Sequence, residues 1–358
     1  MKNIYSFLIA IFFLGLLVTP KGNAVAGNKD RAGQAGASEL LINPWVRGSG
    51  WGSVNTANAY GLEALFSNVA GCASTKGTEL IFAYTDWLQG SGVSIYNFGV
   101  SQKLGNNKGA LTIAVMSMNF GEIDRTTVAS PEGNVGVFKP SYLNINLAYS
   151  KAFSNSIYGG LNIKLISESI DDASAQGVAL DAGIQYITGS KEQIKFGVAL
   201  KNVGPTMKFS GDGLSFRGII PGHGNENDLF TVSQRSEAYE MPATLRIGAS
   251  YDFLFGELHR FTLAGNFQSN SFTKDQFTLG AEYALKYYLS IRAGYTYEDG
   301  IFEKNVADRG SVLTGLSAGF SVSVPFDKEK ERGIGIDYSF RATNPYAGTH
   351  SVGIKLNF

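Results

Sequence analysis

The chain has 358 residues, with 30 Lys+Arg balancing 30 Asp+Glu, and carries 44 Gly, 24 Phe and 17 Tyr beside 3 His and one Cys. The balance removes the cationic field that a nucleic-acid binder needs, the single Cys excludes an internal disulfide, and three scattered His leave too few ligands for a zinc cluster. Glycine and aromatic richness at 44% hydrophobic residues allows either two soluble domains or something patterned rather than greasy.

Residues 1–26 read as a secretory signal: Met1-Lys2-Asn3, an apolar run from Ile4 to Val18, then Thr19-Pro20 and the small residues Ala24-Val25-Ala26. The run is short for a membrane span, and cleavage is expected before Gly27. Nowhere else do about 18 consecutive apolar residues suggest a transmembrane helix. Cys72 has no lipid-attachment context and reads as a buried thiol. Residues 27–78 do not resemble the later, alternating strands. Val54 to Phe66 mixes Ala57, Ala59, Leu62, Ala64 and Leu65 in a spacing that predicts a short helix after a glycine turn, and the segment reads as a luminal plug or hatch. Gly48-Ser49-Gly50-Trp51-Gly52 lacks the lysine and the strand-to-helix setting of a phosphate loop. Trp45, Trp51 and Phe66 are the candidate hatch or cavity residues, with simple packing as the alternative role.

From residue 79 to 358 the period is two. In Tyr142 to Tyr149, Leu143, Ile145 and Leu147 share one face and Asn144 and Asn146 take the other. Fourteen strands are predicted, near 79–88, 91–103, 109–120, 141–153, 155–169, 175–188, 191–202, 241–255, 258–270, 273–286, 287–299, 311–324, 331–341 and 347–358. Short turns alternate with long polar excursions at 121–140, 203–240 and 300–310. An even number of long antiparallel strands with that alternation predicts an all-β fold, a closed transmembrane barrel of the outer membrane, because an open sheet would leave backbone groups unpaired in lipid. Gly160, Gly183, Gly197, Gly248, Gly280 and Gly294 lie inside these strands and allow close packing against an internal segment. Tyr149, Tyr186, Phe253, Tyr283, Tyr288, Tyr295 and Tyr338 fall near strand ends, as interfacial girdles do. The final run, with Gly353, Leu356 and terminal Phe358, resembles the signal read by the outer-membrane assembly machinery.

Catalysis has no foundation in this pattern. His223, His259 and His350 lie far apart, no Gly-x-Ser-x-Gly encloses a serine, and Asp171-Asp172 and Glu298-Asp299 sit in turns where adjacent acids are solvated corners. No enzyme activity, metal or cofactor is expected.

Leu40-Leu41-Ile42, Arg47, Gly50-Trp51-Gly52, Ala57 and Ala64 to Gly71 resemble the N-terminal signature of the PorV/PorQ family of FadL-like barrels from Bacteroidota-type outer membranes. Trp51 replaces a usual Met, and Val69 a usual Pro, as in a divergent paralogue. The resemblance implies a non-enzymatic role in type IX secretion, in contact with outer-membrane lipid, translocon or attachment-complex proteins and secreted cargo. Phe209, Phe216, Ile219, Ile220 and Phe230 of the longest loop are the candidate contacts. The alternative is FadL-like transport of small hydrophobic compounds, which requires an open apolar tunnel.

Overall fold

A computed structural model describes residues 27, 29–105, 108–219, 228–286, 288–303, 312–327, 332–343 and 346–358. The signal segment 1–26, Ile220 and His223 lie outside the described residues. The barrel strands are Thr78–Trp87, Val93–Lys103, Ala110–Asn119, Ser141–Ala152, Ile157–Ile170, Ala173–Thr188, Ile194–Val203, Thr244–Phe255, His259–Asn270, Gln276–Leu285, Leu289–Glu298, Gly315–Asp327, Arg332–Arg341 and Thr349–Asn357. Each pairs antiparallel with its neighbours in chain order, and the first pairs with the last from Glu79↔Asn357 to Asp86↔His350, so the sheet closes. The fourteen expected strands are present and the barrel is shut.

Alternation decides which face meets which medium. On Ile157–Ile170, Leu161, Ile163 and Leu165 point outward while Asn162 and Lys164 are buried inside. The same reversal holds for Ile247 against Arg246 and for Ile291 against Arg292. Large apolar side chains on the outer wall and charges within make sense only if the outer medium is hydrocarbon. Long connections leave one rim, at 120–140, 204–243 and 299–314, while the turns at 153–156, 189–193 and 256–258 leave the other. Short turns mark the periplasmic rim of such barrels and long loops the extracellular one. Inside the long loops the chain forms small ribbons, Ile123–Asp124 with Val137–Phe138, Met207–Lys208 with Ala238–Tyr239, and Ser215–Gly218 with Phe230–Ser233. The irregular excursions expected from sequence are thus partly ordered by local pairing.

The N-terminal segment occupies the lumen. It starts at the extracellular rim, where Gly27 packs beside Thr273 and Asp275 and Arg31 pairs with Glu240 at 2.6 Å. It then passes through the short helices Ser38–Leu41, Val46–Ser49, Gly61–Phe66 and Val69–Ser74 and enters the first strand at the periplasmic rim. The helix expected from Val54 to Phe66 is confined to a 3₁₀ turn at Gly61–Phe66. Gly61, at φ 61°, breaks the run, and Val54 to Ala59 instead lie against the wall through Thr56 and Ala57.

One side of this plug is apolar and the other is charged. Trp45, Leu62, Leu65, Phe66, Val69 and Cys72 pack on Ile81, Ala83, Ile95, Ala114 and Met116 of the first strands. Burying each large member is worth about 2–3 kcal/mol. On the opposite wall the segment approaches through glycines facing one another across strand pairs, Gly160↔Gly183, Gly197↔Gly248 and Gly280↔Gly294. A Cβ at Gly183 would stand 2.0 Å from Asn68 Oδ1, and one at Gly280 2.6 Å from Trp51 Nε1. All six glycines predicted to allow close packing against an internal segment touch that segment.

Candidate functional site

The lumen is the candidate site, and its own chain fills most of it. In the periplasmic half, Glu282 is 1% exposed and receives Arg47 at 3.0 Å, Arg260 at 2.9 Å and Arg292 at 3.1 Å. Register puts Arg292 directly opposite Glu282, so the wall forms part of this knot unaided. Arg47 comes from the plug, donates to Tyr60 Oη at 2.7 Å and lies 3.8 Å from Glu63. Lys355 reaches Glu63 at 3.4 Å and Glu79 at 3.3 Å, and Glu79 accepts the Leu62 amide at 3.0 Å. Lys195 and Asp252 pair at 2.6 Å, and Ser321 donates to Asp337. Plug and wall are therefore joined by alternating charge, strong in a low-dielectric interior once each ion is paired.

Between these groups remains a cavity of about 40 Å³, lined by Arg47, Trp51, Tyr60, Asp252, Arg260 and Glu282 among others. That holds a few waters. Its polar lining gives no apolar tunnel. A second hollow of about 170 Å³ opens at the extracellular rim between residues 33–41 and the ends of the strands at Thr244 and Asn270.

Near that rim, Glu39 is 4% exposed and neither of its carboxyl oxygens has a hydrogen-bond partner. Burial first, then the charge of Glu168, push its pKa up to about 8. Protonated Glu39 suits the folded state, so by linkage this contribution is complete below the ordinary carboxylate range and is lost as pH rises through about 8. Thermal stability of the wild-type barrel is expected to fall between pH 6 and pH 9. Glu39→Gln should flatten that profile, and parallel profiles for the two proteins would refute the assignment. Cys72 lies fully buried in the plug, where burial pushes its thiol up to about 12, as an inert thiol requires.

The sequence-derived candidates separate into three places. Trp45 and Phe66 meet edge to face at 5.7 Å in the apolar half of the plug, while Trp51 lies on Gly280 and borders the small cavity. Of the loop candidates, Phe209 is half-buried against Tyr239 at 5.9 Å, Phe216 and Ile219 are exposed, and Phe230 joins the ribbon opposite Gly218. Gly353 and Leu356 pair with Ala83 and Leu80 in the closing seam, and the Phe358 amide donates to the Thr78 carbonyl at 2.9 Å. His259 and His350 contact Tyr283 and Tyr338 at 2.6 and 2.8 Å through Nδ1, on different strands. Among the described residues, no three His, Cys, Asp or Glu side chains form a group able to hold a metal. The Glu282 knot was missed from sequence, although Glu282 and Arg292 both occupy inward positions of adjacent alternating strands.

A sequence model described as "Type IX secretion system membrane protein PorP/SprF" matches residues 131–355. The chain belongs to the PorP/SprF family. This overturns the PorV/PorQ resemblance, which rested on residues 40–71; the decisive match lies in the barrel. Plugs that must pass close to a barrel wall share a demand for glycine and small residues, so that segment discriminates families poorly. The PorP/SprF match keeps the type IX secretion class while changing the family. No curated protein matches the chain. Among solved structures it is similar to the "CymD monoaromatic hydrocarbon channel", at 12% identity over 88% of this chain and 97% of that one, with TM-score 0.52. It is likewise similar to the Pseudomonas putida toluene transporter TodX, at 12% identity over 88% and 96%, with TM-score 0.51. At that identity the likeness is one of fold: this PorP/SprF member shares the closed-barrel fold of those two channels. It is a non-enzymatic outer-membrane barrel of the type IX secretion class.

Proposed function

We propose that this barrel serves type IX secretion as a plugged docking platform, binding translocon or surface-attachment proteins and handling secreted cargo by contact and release. Family membership is the observation that carries the reading. The filled lumen supports it, since about 40 Å³ among paired charges offers no path for cargo or an apolar solute without removal of the plug. Binding then falls to the rims. Phe216 and Ile219, both exposed on the longest extracellular loop, are the contact residues, while Trp45, Trp51 and Phe66 hold the hatch shut from within.

Detergent-solubilised barrel, tagged and captured from its own cells, is expected to recover a translocon or attachment component. Its deletion should impair release or attachment of secreted cargo. Phe216→Ser with Ile219→Ser should reduce partner recovery several-fold while leaving barrel assembly intact. Uptake of small hydrophobic compounds is the second reading, favoured by the rim hollow of about 170 Å³ and by the fold shared with a monoaromatic hydrocarbon channel and a toluene transporter. Unchanged secretion in the deletion strain, with only apolar ligand recovered, would replace the first reading by the second.

A further inference from the structure

Below the rim hollow the wall carries cations that, among the described residues, no acid engages by a hydrogen bond. The hollow is bordered by Thr244 and Asn270 on adjacent strands, by Pro242 and Phe272, and by Gly36 and Leu41 of the plug. A strand returns to the same face every second residue, about 7 Å further on. The next lumen-facing pair inward is therefore Arg246 opposite Gln268. Arg246 is 3% exposed, its Nε and Nη1 have no hydrogen-bond partner, and its other register neighbour is Ala199.

A second buried cation stands on the adjoining strand. Lys201, opposite Thr244, donates to the Phe66 carbonyl of the plug, which is neutral. Of the acids of this half, Asp181 pairs with Lys164 at 2.8 Å, Glu168 accepts from Tyr239 at 2.7 Å and Glu298 accepts from Gln276 at 2.7 Å, while Glu39, unpartnered, is held protonated by burial and the charge of Glu168. Asp181 also acts on Arg246 from a distance, but makes no hydrogen bond to it. The contrast with the periplasmic half, where Glu282 alone receives three arginines, is one of design. A buried unpaired guanidinium is costly, and a counter-ion that binds there removes the cost.

We propose that Arg246, with Lys201, forms an oxyanion site at the base of the extracellular hollow, taking a phosphate or carboxylate group. The guanidinium offers unpartnered donors at Nε and Nη1, on different edges of its plane, so that one edge takes an oxygen of such a group, and the Lys201 ammonium adds charge. Thr244 and Asn270 line the approach, and the apolar part of the hollow accommodates a short organic body attached to the anion. The site stands independently of the secretion reading, because it rests on the buried cations and the hollow rather than on any partner protein.

The test uses the purified full barrel in zwitterionic detergent, with chloride replaced at constant ionic strength by inorganic phosphate or by hexanoate. A saturable rise of several degrees in unfolding temperature is expected with at least one oxyanion at about a hundredfold excess over its Kd. Phosphate acting alone identifies a free oxyanion; hexanoate acting alone identifies an anion carried on an apolar body. Arg246→Gln removes an unpaired charge, so it should fold at least as stably as wild type in chloride and lose the response by tenfold or more in apparent affinity. An unfolding temperature no higher in either oxyanion than in chloride, or an undiminished response in Arg246→Gln, would overturn the proposal.

Discussion

Glu282→Ala is expected to lower the stability of the folded barrel by about 3–5 kcal/mol, the range found when one partner of a buried ion pair is removed. Three guanidiniums converge on this one carboxylate, and the surrounding wall buries it almost completely. Without it, Arg47, Arg260 and Arg292 face one another across a void with Glu63 and Asp337 as the nearest compensation. The loss should appear as a lower temperature for the shift between compact and extended forms on gels of unboiled samples. Arg260→Ala provides the contrast: its side chain is about a third exposed, and solvent screening should hold its effect to roughly 1 kcal/mol or less. Equal transition temperatures for Glu282→Ala and wild type would remove the knot from any account of how the plug is held.

Gly197→Val is expected to dislodge the plug. A Cβ here would lie 2.3 Å from the Thr56 carbonyl oxygen and 2.8 Å from the Ala57 Cα, so backbone rather than a flexible side-chain tip must move. Gly248 opposite leaves no relief, because its own Cβ position is 3.0 Å from Thr56 Cβ. Overpacking of this kind costs about 1–3 kcal/mol or more. Cys72 gives a direct readout, since it is fully buried in the same plug. Maleimide labelling under native conditions should be at least tenfold faster in Gly197→Val than in wild type. Gly265→Ala, whose nearest contact would be an ordinary 3.5 Å, should leave labelling unchanged. Slow labelling in both variants would mean that the wall, not the plug, yields.

The barrel was legible because lipid imposes period two on every strand, as Leu143, Ile145 and Leu147 against Asn144 and Asn146 display. The plug's contact line was legible for a related reason: glycine inside a strand is costly unless something must come close. The helix over residues 54–66 was misjudged because apolar spacing cannot report the narrow passage that forces Thr56 and Ala57 flat against Gly197 and Gly248. The ion knot escaped notice because Arg47 and Glu282 are 235 positions apart and meet only once the barrel closes. The PorV/PorQ resemblance failed because it relied on the plug, whose small residues answer to packing, while the PorP/SprF match lies mostly in the barrel that surrounds it.

The path of the N-terminal segment also constrains how the molecule is put together. Gly27 sits at one mouth beside Thr273 and Asp275, while Gly77 lies beside the Phe358 carbonyl at the other. A strand of chain carrying Arg47, Glu63 and two tryptophans cannot easily be drawn through a finished ring whose bore it fills. An assembly in which the joint between Thr78–Trp87 and Thr349–Asn357 closes around a plug already in place avoids that passage. On that order of assembly, an error in the plug is an error in closure.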